Sequence, residues 1–168
     1  KVPNDAIVLD ATGRYLLPGL IDAHVHYKSW SAPLYLNHGV TTVLSLGDTY
    51  DWIRVQKEGI KRGEIPGPRM FYSTDNVDRT PEEGIDAKIK EELIFFDHQR
   101  YLDDVEEARN VIRKYVDEGV DAVKVYGGLS ERQLRAIMRE ADRADIPVLG
   151  HFRDIYIAAE VGGDGIEH

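Results

Sequence analysis

The chain contains no cysteine. Disulfides and thiolate metal sites are therefore excluded, and any bound ion must be held by imidazole and oxygen. Positive charge is also scarce, with 21 Lys and Arg against 30 Asp and Glu and a formal net charge of −9. Nothing offers a basic face that would neutralise phosphates, so no nucleic-acid partner is expected. No apolar run approaches the ~18 residues of a membrane span, and no membrane partner is expected. A signal peptide, a low-complexity tract and a fixed-period repeat are all missing. The chain opens at Lys1 rather than Met, and Ala6-Ile7-Val8-Leu9-Asp10 reads as a strand already in progress. Localisation is therefore left open. What is present, 42% hydrophobic and 30% charged residues in 168, is the composition of one globular domain.

From Pro18 onward the sequence has a rhythm. Short β-branched runs at residues 20–25, 40–46, 69–73, 122–126, 146–150 and, more weakly, 165–168 alternate with helical segments at 32–37, 52–62, 104–118, 131–144 and 155–161. In the third of these helices Asp103 is the expected N-cap, Val105, Ala108, Ile112, Tyr115 and Val116 share a face, and Gly119 ends the helix. Ser130 caps the next, with Leu134, Ile137, Met138 and Ala141 turned inward. Such alternation predicts an α/β fold with a parallel sheet and helices packed outside it. Six units fit either a doubly wound open sheet or a (β/α)₈ TIM-type barrel truncated after about six strands, since complete barrels take ~250 residues. Periodicity alone does not choose. Residues 75–102 break the rhythm and read as a long charged loop with a short helix, which in a barrel would lie over the face where the loops gather, or else is a solvated insertion with no role in chemistry.

His24-Val25-His26 puts two imidazoles on one face of a strand, because side chains at i and i+2 point the same way. Alone, the pair is equally the mark of two half-exposed histidines at a strand end. Lys124 stands inside the apolar run Ala122-Val123-Lys124-Val125-Tyr126, on the same face as Ala122 and Tyr126. An interior ammonium loses its hydration, and burial lowers the pKa of the amine. A neutral lysine can add carbon dioxide and become a carbamate, an anionic oxygen ligand able to bridge two ions. The competing reading is a lysine that snorkels or pairs with a carboxylate. His151 and His168 each follow a strand directly. Four histidines and a lysine thus fall at the ends of the first, fourth, fifth and sixth strands, the rim at which barrel enzymes carry their active groups. Imidazole and oxygen donors suit zinc or a similar first-row ion. His38, in a helix-to-strand turn, and His98, in the 75–102 segment, read as surface residues.

The run Leu17-Pro18-Gly19-Leu20-Ile21-Asp22-Ala23-His24-Val25-His26 resembles the first barrel strand of the amidohydrolase superfamily. The likeness continues through Gly39-Val40-Thr41-Thr42-Val43, Gly67-Pro68-Arg69, Asp121-Ala122-Val123-Lys124-Val125, Pro147-Val148-Leu149-Gly150-His151 and Gly163-Asp164-Gly165-Ile166-Glu167-His168. It is similar above all to the imidazolonepropionase-like group and its prolidase-type members, which carry a lysine on strand four. The resemblance implies residues 1–17 as the end of a small β-sandwich domain and 18–168 as an incomplete metal-dependent hydrolase barrel. It implies that His24 and His26 hold the more buried metal, His151 and His168 the more exposed one, and carboxylated Lys124 bridges them. The ions expected are two zinc, with manganese, iron or cobalt also suited, and CO2 is needed for the carbamate. A hydroxide shared by the two metals would attack an amide or other C–N bond of a small molecule or dipeptide, including one with a C-terminal proline. Tyr126 and Arg153 are candidates to hold the substrate.

Family members also carry an aspartate at the end of strand eight that shuttles the proton. This sequence stops at strand six, and Asp154 and Asp164 do not stand where they could replace it. Two other readings follow: a mononuclear deaminase of the same superfamily with Lys124 unmodified, or a non-catalytic metal-binding module. A homo-oligomer is left open.

Overall fold

Strand–helix alternation is realised along the chain. The computed structural model describes residues 2–79 and 99–168. In chain order the described elements are β1 (Leu20–Val25), α1 (Ala32–Asn37), β2 (Val40–Ser45), α2 (Tyr50–Lys61), β3 (Arg69–Tyr72), β4 (Asn76–Arg79) and β5 (Gln99–Leu102). They continue as α3 (Val105–Asp117), β6 (Val123–Val125), α4 (Glu131–Asp142), β7 (Val148–Gly150), α5 (Ile155–Val161) and β8 (Gly165–Ile166). The helices α3, α4 and α5 start where a side chain accepts from their first free amides. Ser130 and Gln133 form a reciprocal capping box on α4, and Asp154 accepts from Tyr156 N at the start of α5. Gly119, at φ 87°, terminates α3 in the left-handed region that glycine enters without a Cβ clash.

Three expectations are corrected. The N-cap of α3 is Asp104, not Asp103: its carboxylate accepts from the amides of Glu106 and Glu107, while the Asp103 amide donates to Glu107. The segment 75–102 is not simply a loop, because β4 and β5 stand at its two ends and pair in parallel. Their Val77 and Leu102 are fully buried, an apolar signal hidden by the charge of the residues between them. The short helix expected within the segment, and His98, lie outside the described residues. The strand expected at residues 6–10 does not form, and Ile7, Val8 and Leu9 are exposed without a strand partner among the described residues.

Every strand pair among the described residues is parallel. One sheet runs β1-β2-β3 and the other β5-β4-β6-β7-β8. A parallel bridge from Ser73 to Ala122 joins them, with Thr74 N donating to Ala122 O and Asp121 N to Tyr72 O. Through that bridge the main strands follow one another in chain order as β1, β2, β3, β6, β7, β8. A doubly wound sheet would reverse direction at a switch point, and there is no reversal here. The sheet also curls: His24 of β1 and His168 beyond β8 have ring centroids 5.1 Å apart, although their strands are the two ends of the order. Monotonic order with touching ends defines the (β/α)₈ barrel architecture, of which this chain supplies six strands.

The cores lie between the sheet and the helices. Val25, Val43, Met70 and Tyr72 pack outward with Ile53 of α2 and Tyr115 of α3. Val77, Val123, Val125 and Val148 pack outward with Ile112 of α3 and Leu134, Ile137 and Met138 of α4. Strand alternation then leaves the neighbouring residues, among them His24 and Lys124, on the concave face.

Candidate functional site

The outward commitment of the valines decides where the polar groups go. Val25 is held in the outer core, so His24 and His26 on either side of it take the concave face. Val123 and Val125 do the same for Lys124 between them. His151 follows β7 and donates its amide to Val125 O at 3.1 Å, which ties the end of β7 to β6. His168 lies two residues past β8.

These side chains form a continuous array. Ring centroids are separated by 5.3 Å between His24 and His26, 5.1 Å between His24 and His168, and 5.0 Å between His168 and His151. Tyr126 stands 4.7 Å from His151, and Lys124 Nζ lies 5.8 Å from the Tyr126 ring centroid. Lys124 is 0% exposed, and its Nζ and the Nδ1 of His151 are buried with no hydrogen-bond partner among the described residues. Orphaned polar atoms are costly in an interior and call for a ligand or water.

The electrostatics favour neutral bases. Burial pulls the Lys124 amine down from 10.5 to about 8, opposed only by the Glu167 carboxylate. His26 is lowered chiefly by burial, with Asp48 opposing, and His151 by burial and then by the positive charges of Lys124 and His168. A neutral imidazole is the form that ligates metal.

Two imidazoles sharing one tetrahedral zinc at about 2.1 Å would have ring centroids roughly 5 Å apart, the spacing of this array. Among the described residues no group of three or more His, Asp or Glu side chains is placed to hold a metal ion. The ring spacing, the two orphaned nitrogens and the lowered basicity of Lys124, His26 and His151 suit a divalent metal. His24, His26, His151, His168 and Lys124, nominated from sequence, are the side chains brought near one another here.

Three further residues support the array and were not singled out from sequence. Glu167 accepts a hydrogen bond from His24 Nδ1. Asp48, 3% exposed, accepts from Ser45 Oγ and from Tyr27 N, and so pins the backbone just after His26. Thr74 Oγ1 accepts from the Lys124 amide at 3.0 Å. An acid directly before a strand-end histidine was the available signal for Glu167; Asp48 and Thr74 gave none. Arg153 is exposed just ahead of α5, and His38 is exposed at the end of α1. Asp164 is occupied in accepting from Val148 N, and Asp154 caps α5.

The chain belongs to the Amidohydrolase family, which its residues 15–168 match. Among solved structures it is similar to a candidate prolidase from Bifidobacterium longum, with 28% identity and a TM-score of 0.79 over all of this chain and 44% of that one. An amidohydrolase matches at 26% identity and a TM-score of 0.76, over all of this chain and 52% of its own. A Xaa-Pro dipeptidase with methionine bound in its active site shares the fold, at 19% identity and a TM-score of 0.74 over 97% of this chain and 52% of that one. The adenine deaminase of Geobacillus kaustophilus is 51% identical over 43 residues, 22% of this chain and 8% of the deaminase. The chain thus spans 44% to 52% of the length of these solved relatives.

Proposed function

We propose that this chain forms the metal-binding part of a hydrolase that cleaves an amide or related C–N bond of a small molecule, with Xaa-Pro dipeptides as the first substrates to test. The observation that carries this reading is Lys124, a wholly enclosed amine with no hydrogen-bond partner among the described residues, beside the array of four histidines. At a pKa of about 8 roughly one amine in ten is neutral at pH 7, against about one in three thousand at 10.5. Its lone pair can attack CO2, forming an N–C bond and releasing one proton, and the product is a carbamate anion. That anion would add an oxygen ligand for metal to the imidazoles of His24, His26, His151 and His168. When bound there, divalent metals supply Lewis acidity and acidify water. The chain's own contribution is to hold neutral donors ready, with Asp48 and Thr74 fixing the backbone beside two of them. Tyr126, next to His151, would orient the substrate. Arg153, on the exposed rim, would meet only its outer end.

The test is metal content and turnover of the full-length, zinc-loaded protein. We expect two ions per chain, hydrolysis of Xaa-Pro dipeptides or other small amides, and for Lys124→Ala at most one ion and a loss in kcat/KM above about a hundredfold, since even outer-sphere partners act on that scale. Two ions and full rate in the variant would remove the bridging role. The short match to an adenine deaminase favours a second reading, a deaminase with one ion and unmodified Lys124. One ion per wild-type chain, with release of ammonia from adenine, would select it. Metal retained with no turnover of any of these substrates would select a non-catalytic module.

A further inference from the structure

We propose that Glu167 is a positioning residue that fixes the tautomer of His24, holding its proton on Nδ1 so that Nε2 faces the array as a bare donor. This rests on the proposed reading for its use, though not for its observation. Glu167 Oε2 accepts from His24 Nδ1, and the two side chains are only 15% and 19% exposed, so water competes poorly for the contact. The Glu167 amide donates to Gly150 O at 3.0 Å, which anchors the residue to β7. The acid is thus held from one side of the curled sheet while it grips a ring from the other.

A neutral imidazole carries one N–H, and the nitrogen that loses it becomes the donor. In water the Nε2–H form predominates, which would leave the wrong nitrogen bare here. A carboxylate on Nδ1 reverses that preference and raises the basicity of Nε2. Of the ring's neighbours in the array, His26 and His168 lie at about 5 Å centroid to centroid, in T-shaped and tilted contacts that fix no proton. Among the described residues, Glu167 is the carboxylate in hydrogen-bond contact with the array's imidazoles.

The tautomer can be read directly. Full-length protein with 15N-labelled histidine, stripped of metal, would be examined by long-range proton–nitrogen correlation, with the His24 signals identified by their loss in His24→Gln. We expect Nδ1–H in the wild type. Glu167→Gln should keep it, because the amide oxygen still accepts, and Glu167→Ala should move the proton to Nε2. Zinc affinity, from competition with a chelator, should fall about 10- to 100-fold in Glu167→Ala and less in Glu167→Gln. His24 protonated on Nε2 or on both nitrogens in the wild type would overturn the proposal, as would an unchanged tautomer in Glu167→Ala. A purely structural tie between strands would not move the tautomer in step with the acceptor. A wild type with the Nδ1–H form but no zinc affinity supports the tautomer assignment and removes the metal reading, so the two failures separate.

Discussion

Lys124 makes folding stability depend on pH in a window where exposed lysines leave it flat. Its amine titrates near 8 in the folded protein and near 10.5 when exposed. Between those values the unfolded chain binds the extra proton, so the free energy of unfolding rises as pH rises. Below about 8 both states are protonated and the cost of enclosing the charge is complete; above 10.5 it is gone. The span amounts to roughly 3 kcal/mol at most. Urea unfolding of the metal-free protein at about pH 8 and about pH 10 should show the wild type gaining on Lys124→Met, whose side chain has no proton to lose. Parallel behaviour of the two proteins would contradict the assignment. The position of Lys124 was legible because a single charge interrupts an alternating apolar strand. The role of Glu167 was not, since its partner lies 143 residues away and nothing local distinguishes it from a solvated acid.

At the scale of elements, the donors are only as well placed as the strands that end beneath them. Gly150 closes β7 where it presses on β6: a Cβ added there would come to 2.1 Å from the backbone oxygen of Val125. Backbone cannot swing aside as a side chain can, so Gly150→Ala must part the two strands and carry His151 away from Lys124. We expect a loss of about 3 kcal/mol in stability, near the upper end for overpacking, together with weakened metal binding. Chemical denaturation and metal content measure both, and a variant with native stability would show that β6 and β7 separate freely. On the outer face, Arg113 of α3 grips Glu140 of α4 with two hydrogen bonds at 2.9 and 3.0 Å, and Arg143 joins the same carboxylate. Helix faces like these were readable from the 3.6-residue period, but the choice between Asp103 and Asp104 as cap was not. Both are acidic, and only the turn of the backbone decides which carboxylate meets the free amides.

Over the whole molecule, the array draws on β1, β6, β7 and β8, so one bound ion would tie together segments from both ends of the sheet order. Stripping metal with a chelator should therefore lower the thermal midpoint, and zinc in excess should restore it. At a free concentration a hundred times Kd the stabilisation is about 2.7 kcal/mol. A midpoint indifferent to chelator and zinc would argue that the histidines meet no ion. The net charge of −9 acts over the same range and raises the local concentration of cations. Among the described residues no helix is long and apolar enough to cross a membrane.

Alternation and turn glycines determined from sequence alone that this is an α/β chain of parallel strands, with histidines at the ends of three of them, because periodicity and capping are local properties. The barrel, which periodicity left open, was implied by the family resemblance, and two things waited for the tertiary structure: β4 and β5 in place of a plain loop, and the grip of Glu167 on His24. Each depends on which distant segments meet once the sheet has curled, and that curvature accumulates from strand twist and outer-face packing rather than from any residue that could be read in isolation.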